Sequence, residues 1–231
     1  MAILTAISRF ADYYRRNGFV ATIRRAALAA RRALFSNRSV VFYCDLARQS
    51  APRADLPSFL KVELKKSSAE LSPEDLQAMT SFWNPKLAHR NMKERFDLRA
   101  SLWLIKSHDR LAGYGWTLQG RTMEPHYFPL GQDDVHLFDF HVFPQYRGRG
   151  MNPFLVTHIL QSLAKVGAGR AFIEAAEWNQ AQLSSLRKTP FRCLGRARKL
   201  TIFARTIVWW GKNEINAQYT KSTIDYRPID R

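Results

Sequence analysis

Between Val135 and Leu155 the chain reads Val-His-Leu-Phe-Asp-Phe-His-Val-Phe-Pro-Gln-Tyr-Arg-Gly-Arg-Gly-Met-Asn-Pro-Phe-Leu, and no other stretch constrains the fold as much. Its first half is an apolar, aromatic run of strand length that stops at Pro144. A basic loop with two glycines follows. From Met151 the apolar residues Phe154, Leu155, Ile159 and Leu163 fall near one helical face. The spacing predicts a strand, a glycine loop and a helix. The first amides of a helix have no intrahelical partner and carry the positive end of its dipole. Gly148 and Gly150 put no side chain in the way of an approaching anion, and Arg147 and Arg149 add charge beside the amides. Such a turn makes a cradle for a pyrophosphate. Pro153 is compatible with it only in the first helical turn.

Two common phosphate loops are excluded. No third glycine follows at the dinucleotide spacing, and no Gly-Lys-Ser/Thr occurs. Taken alone, the loop reads equally well as an ordinary strand-to-helix turn with solvated arginines.

Two blocks together say more. Val142-x-Pro144-Gln145-x-Arg147-Gly148-x-Gly150 resembles the acyl-CoA pyrophosphate loop of the GNAT superfamily of N-acyltransferases, Gln/Arg-x-x-Gly-x-Gly/Ala after a strand ending Val-x-Pro. Downstream, Ile173-Glu174 opens a short strand, and a helix begins at Asn179 and runs toward Phe191. There Asn179, Gln182, Ser185, Leu186, Arg187, Lys188, Pro190 and Phe191 stand where family members often read Asn-x-x-Ala-x-x-Leu-Tyr-Glu-Lys-x-Gly-Phe. The resemblance covers roughly residues 58 to 208. It implies an α/β (α+β) fold, with a mixed, mostly antiparallel sheet splayed at its centre and flanked by helices.

The resemblance also implies a site. Val142, Gln145, Arg147, Gly148, Arg149, Gly150, Met151 and Asn179 become the cofactor-binding candidates, with backbone groups near Val142 meeting the thioester. The co-substrate is acetyl-CoA or another acyl-CoA, and no metal is expected. Acyl transfer to an amine also needs a base. Glu174 and His136 are the first candidates, followed by Asp139 and His141 on the same strand. Asp139 and His141 share a face at i, i+2 spacing unless a bulge shifts the parity. Phenylalanines around them would move a carboxylate or imidazole pKa toward neutrality. One departure stands out: the tyrosine that many family members use to protonate the leaving thiolate is Leu186 here. Ser184, Ser185 or solvent would have to substitute.

Composition limits the partners. A net charge of +17 over 231 residues calls for anionic company such as nucleotides, acidic substrates, lipid head groups or nucleic acid. The two cysteines, Cys44 and Cys193, supply neither a disulfide framework nor a metal cluster. No apolar run is long enough to span a bilayer. Residues 1–36 hold seven arginines and one acid, Asp12. Phe19 to Phe35 reads as an amphipathic helix with Arg24, Arg25, Arg31 and Arg32 on one side, suited to an anionic membrane surface or to packing on the protein itself. A cytoplasmic enzyme follows, with attachment at the inner face of a membrane open to it, and so is oligomerisation.

Three segments are expected: residues 1–57 as arm, strand (Val40 to Leu46) and linker; residues 58–208 as the acyltransferase domain; residues 209–231 as a polar tail. Within the domain, helices are expected from Ser72 to Phe82 and from Lys86 to Phe96, with Trp83, Asn84, His89 and Arg90 as acceptor contacts. A hairpin is expected around Ser107 to Arg110, and Gly113 and Gly115 mark a bulge or a close backbone approach. The last helix is read as Asn179 to Lys188, and the final strands as Arg192 to Leu194 and Lys199 to Val208. The function this implies is acyl transfer from acyl-CoA to a small amine, an amino sugar or sugar nucleotide for example. The alternative is a non-catalytic basic protein that binds nucleic acid or a membrane on the same scaffold, although no nucleic-acid motif is present.

Overall fold

The computed structural model describes residues 18, 22, 38–48, 57–82, 84–202 and 205–211. Apart from Thr22, the arm helix expected over Phe19 to Phe35 lies outside the described residues, as do Trp83 and the tail beyond Gly211. The elements in chain order are β1 (Arg38–Asp45), β2 (Leu60–Lys65), α1 (Pro73–Ser81), α2 (Pro85–Asp97), β3 (Ser101–Ser107), β4 (Arg110–Gln119), β5 (Asp134–Val142), α3 (Met151–Lys165), β6 (Arg170–Ala176), α4 (Gln180–Leu186), β7 (Arg192–Ile202) and β8 (Arg205–Trp210). The strands form one sheet in the order β2-β3-β4-β5-β6-β1-β7-β8. Every neighbouring pair is antiparallel except β5 and β6, so the sheet is mixed and mostly antiparallel, as expected.

Local chemistry sets the helix starts. Ser72 caps α1 by accepting from the Asp75 amide, and Asn84 caps α2 by accepting from the Leu87 amide. Each helix has proline in its first turn, where the missing N–H costs nothing. The last helix is shorter than its sequence suggests. The Lys188 and Thr189 amides close turns onto Ser185 and Leu186, and Pro190 follows, so α4 ends at Leu186. The two final strands also divide differently. Arg192–Ile202 is one continuous strand, because it pairs with β1 along its first half and with β8 along its second.

The two faces of the sheet bury different partners. Met151, Leu155, Val156, Ile159 and Leu160 of α3 pack on one face against Val40, Phe42, Val135, Leu137 and Ile173. The other face carries α1 and α2 over β3 and β4 through Met79, Met92, Leu104 and Trp116, and Tyr127 and Phe128 of the β4–β5 loop over Phe172 and Leu194. Strand β1 sits in the middle of the sheet, between β6 and β7. Val40, Phe42 and Cys44 of this strand pack in the core beneath α3.

The centre of the sheet is split. Strands β5 and β6 pair only at Asp134, Val135 and His136 against Arg170, Ala171 and Phe172, and no pairing between them continues beyond. The paired end is fixed by Asp134, which is 3% exposed and accepts two bonds from Arg170 at 2.8 Å and one from the Gly131 amide at 2.7 Å. Past His136, β5 bends away. Between the Trp116–Phe138 and Tyr114–His141 pairs, β5 holds one more residue than β4, and Asp139 takes φ +48°. That is a β-bulge. The two glycines of β4 make room for it. A Cβ on Gly113 would lie 2.6 Å from the His141 carbonyl, and one on Gly115 would run into the Phe140 ring.

Candidate active site

The open end of the split leads into the glycine loop. A 3-10 turn at Pro144–Tyr146 is followed by Gly148 at φ +77° and Gly150 at φ +75°, and α3 begins at Met151. Only glycine adopts these angles without strain, and a Cβ on Gly148 would meet nothing within 4 Å. No side chain caps α3. Among the described residues, no protein group accepts from the amides of Gly148, Arg149, Gly150, Met151 or Asn152. All of these residues except Arg149 line a cavity of about 460 Å³, together with Phe140, Val142, Tyr146, Asn179 and Ser185. A second cavity of about 540 Å³ shares Gly150, Pro153 and Lys188 with it, so the space continues around the start of α3.

The cofactor-loop candidates divide into several roles. Gly148, Gly150, Arg147, Met151, Val142 and Asn179 all line the first cavity. Arg147 is also a tether: its Nε donates to the Val142 carbonyl at 3.0 Å, which holds the loop on the end of β5 and occupies one lone pair of the carbonyl expected near the thioester. Met151 sends its side chain into the core. Asn179 caps α4, its Oδ1 accepting from the Gln182 amide. Gln145 and Arg149 are exposed and outside that lining.

The four candidate bases fall in three places. His136 and Glu174 meet, with Nε2 2.9 Å from Oε2. They are joined there by His126, whose Nδ1 is 3.8 Å from the same oxygen. Burial opposes the charge on Glu174, but the two imidazoles and Lys199 hold its carboxyl down at about 2. Burial likewise pushes His126 down to about 3, which leaves its ring neutral. Neither His136 nor Glu174 lines any of the cavities described here. Asp139 is turned by the bulge toward α2, where Arg95 Nη1 lies 2.5 Å from its carboxylate. That pair borders a cavity of about 310 Å³ on the face opposite α3, with Asn84, Asn91, Tyr114 and Trp116 in its wall.

His141 alone of the four candidates lines the first cavity. Its ring lies 5.6 Å from Tyr114, which lines the 310 Å³ cavity. Phe82 and Phe143 also pack on the ring, at 4.6 and 5.2 Å. Burial, then the nearby Arg147 cation, lowers its pKa below the ordinary 6.5.

Other residues were not apparent from the sequence. Arg95 reaches Asp139 across 44 positions, and His126 joins His136 and Glu174 from a loop. Tyr146 stood inside the quoted motif at a variable position, yet it lines the 460 Å³ cavity. Leu186 is fully buried in the α3 core, so its place in the motif has become a packing position. Of the expected acceptor contacts, Asn84 lines the smaller cavity, whereas His89 and Arg90 are exposed outside it.

Comparison with known proteins follows from this geometry. The family model described as the acetyltransferase (GNAT) family matches residues 69–188. A search of curated proteins finds no match. Among solved structures, a GNAT-family acetyltransferase from Colwellia psychrerythraea is 11% identical, with a TM-score of 0.49 over 75% of this chain and 55% of that one. A GNAT-family putative acetyltransferase from Novosphingobium aromaticivorans is 16% identical, with a TM-score of 0.45 over 69% and 62%. The chain thus spans less than two thirds of either protein's length. An acetyltransferase from Bacillus subtilis in complex with CoA is 19% identical, with a TM-score of 0.43 over 62% of this chain and 78% of that one. The family-model match takes in both the α1–α2 pair and the glycine loop, and on that match the chain belongs to the GNAT acetyltransferase family.

Proposed function

We propose that the protein transfers an acyl group, acetyl in the simplest case, from acyl-CoA to the amine of a small acceptor. One observation carries this reading: the successive amides of Gly148 to Asn152 have no protein acceptors among the described residues, and four of these five residues line a cavity at the start of α3. Such a group offers several N–H donors and the helix dipole to a diphosphate. The two cavities that join around Gly150 and Lys188 give a long ligand room on either side of that point. The split between β5 and β6 supplies the slot for an extended arm leading to the thioester.

The acceptor is assigned to the 310 Å³ cavity on the other face. Asn84, Asn91 and the Arg95–Asp139 pair give it polar groups, and Tyr114 gives it an aromatic wall. That lining suits a compact polar amine of amino-sugar size. We assign the base to His141. A neutral imidazole between the two cavities can take the proton from the attacking amine, and its lowered pKa keeps it neutral at physiological pH. Asp139, held by Arg95, serves to position rather than to abstract. Tyr146, Ser184 and Ser185 bring the hydroxyls of this cavity that could protonate the thiolate.

Titration calorimetry with acetyl-CoA, followed by a mass-shift screen of amines, tests the whole reading: no binding at millimolar acetyl-CoA would falsify it. His141→Gln is expected to lower kcat by about 100-fold with little change in acetyl-CoA affinity, the usual scale for a lost general base. The sign of the pH effect follows from the lowered pKa. Protonation removes the base, so the acidic limb of kcat lies below pH 6.5 in the wild type and is absent in His141→Gln. A full-height acidic limb in the variant would move the base elsewhere.

A further inference from the structure

Three side chains outside the proposed acyl-transfer chemistry converge beside the split in the sheet. His126 comes from the β4–β5 loop, His136 from β5 and Glu174 from β6, and one ligand atom from each lies within 4.8 Å of the other two. We propose that they form a site for a divalent transition-metal ion, with Zn²⁺ the best match. The proposal is independent of the acyl-transfer reading.

The donor set and its geometry carry it. Two imidazoles and one carboxylate are a known zinc ligand set, one that leaves a fourth position for water. Glu174 Oε2 faces both rings, 2.9 Å from His136 Nε2 and 3.8 Å from His126 Nδ1. A tetrahedral zinc ion with bonds of about 2.0–2.1 Å places its ligand atoms about 3.3 Å apart. Both separations come within an ångström of that spacing, so modest side-chain turns admit the ion.

The protein's own hydrogen bonds leave the cluster incomplete. His126 Nδ1, 3.8 Å from Glu174 Oε2, is beyond hydrogen-bond distance, so the carboxylate engages the His136 ring and leaves the other without a bond to it. With a metal on His136 Nε2, that ring carries its proton on Nδ1, and the 2.9 Å contact to Glu174 becomes a shared bond to the ion. Aromatic packing orients the rings: His126 lies against Phe128 at 5.0 Å, and His136 stacks on Phe138 at 5.4 Å. Entry is by way of Glu174, whose side chain is 23% exposed, while the two imidazoles are nearly closed off. Lys199 also faces Glu174, but its ammonium is held by the Pro125 carbonyl at 3.0 Å. The bound ion ties the β4–β5 loop to β5 and β6.

The test uses the full chain, tag-free and stripped with a chelator. Calorimetry with Zn²⁺ is expected to show one tight equivalent, and thermal unfolding is expected to move upward with Zn²⁺ and not with Mg²⁺. His126→Ala and the near-isosteric Glu174→Gln should each weaken Zn²⁺ binding by at least about tenfold. His89→Ala, on the exposed side of α2, should leave it unchanged. Glu174→Gln keeps an oxygen for His136, so its result stands even if His126→Ala folds poorly. Absence of tight Zn²⁺ binding in the wild type overturns the proposal, and so does wild-type affinity in Glu174→Gln.

Discussion

Strands β5 and β6 behave as two different structures at their two ends. At the paired end, Asp134 meets Arg170 and the Gly131 amide, and the backbone ladder holds Asp134–His136 to Arg170–Phe172. At the open end the ladder is gone, a bulge at Asp139 turns β5 away, and the loop beyond leaves five amides without protein acceptors among the described residues. One end satisfies its polar groups internally and contributes stability. The other leaves them for a ligand, so occupancy of the site is coupled to stability. Mutations should therefore separate cleanly: stability falls at the closed end, affinity at the open end.

The strongest break is at Gly148. A glutamate there puts a carboxylate into the anion socket and asks an L-residue to hold φ +77°. Gly148→Glu is expected to lose at least about 100-fold in acetyl-CoA affinity, equivalent to about 2.7 kcal/mol. The fold should survive, because the strain of a non-glycine at this angle is about 1–3 kcal/mol and the added Cβ meets nothing. Circular dichroism checks the fold, and calorimetry the affinity. Unchanged affinity would end the assignment of the socket.

The closed end gives the opposite outcome. Asp134→Ala leaves Arg170 without its carboxylate and the Gly131 amide without its acceptor. Breaking a buried pair costs about 3–5 kcal/mol, but Arg170 is 40% exposed, so about 2 kcal/mol is expected after screening. For a chain of this size that lowers Tm by about 4–8 °C. Acetyl-CoA affinity of the folded protein should stay within about threefold, since the socket lies at the other end. A large loss of affinity with no change in Tm would show that the two ends are not independent.

The same contrast explains what the sequence disclosed. The turn was legible because Pro144, Gly148, Gly150 and the Met151 helix start lie close together in the sequence, and each acts through its own backbone. The central split was legible in part: Gly113 and Gly115 announced a close approach, and the structure shows two, the His141 carbonyl at Gly113 and the Phe140 ring at Gly115. The base was not legible, because the bulge changes the face on which Asp139 and His141 fall. The His126–His136–Glu174 cluster was hidden for a different reason. Glu174 stands 38 residues beyond His136, and only the parallel pairing of β5 and β6 brings them together. The place of β1 followed the same rule: its strand character is local, but its position between β6 and β7 is set by long-range pairing.

Gly115 lies between the two ends, and its replacement should affect both. In Gly115→Val the new side chain occupies the space of the Phe140 ring, and Phe140 also lines the cofactor cavity. Overpacking of this kind costs about 1–3 kcal/mol. Tm is expected to fall by about 3–6 °C, together with a roughly fivefold weaker affinity for acetyl-CoA. If only one of the two quantities moves, the bulge serves packing alone or binding alone.

The smallest effect distinguishes the ends most finely. Asn152 stands in the first turn of α3, where its Nδ2 donates to Ser185 Oγ at 2.8 Å, linking α3 to α4 beside the cavity. Its Oδ1 is buried with no hydrogen-bond partner. Asn152→Ala removes one bond worth about 1 kcal/mol, but it also removes an unsatisfied acceptor that costs a comparable amount, so Tm should change by less than about 2 °C. Asn152 also lines the 460 Å³ cavity, so its bond to Ser185 fixes part of the wall that a coenzyme would meet. Acetyl-CoA affinity is therefore expected to fall by about fivefold, the equivalent of about 1 kcal/mol. A fall in Tm with affinity intact would instead place Asn152 with the self-satisfied groups at the closed end.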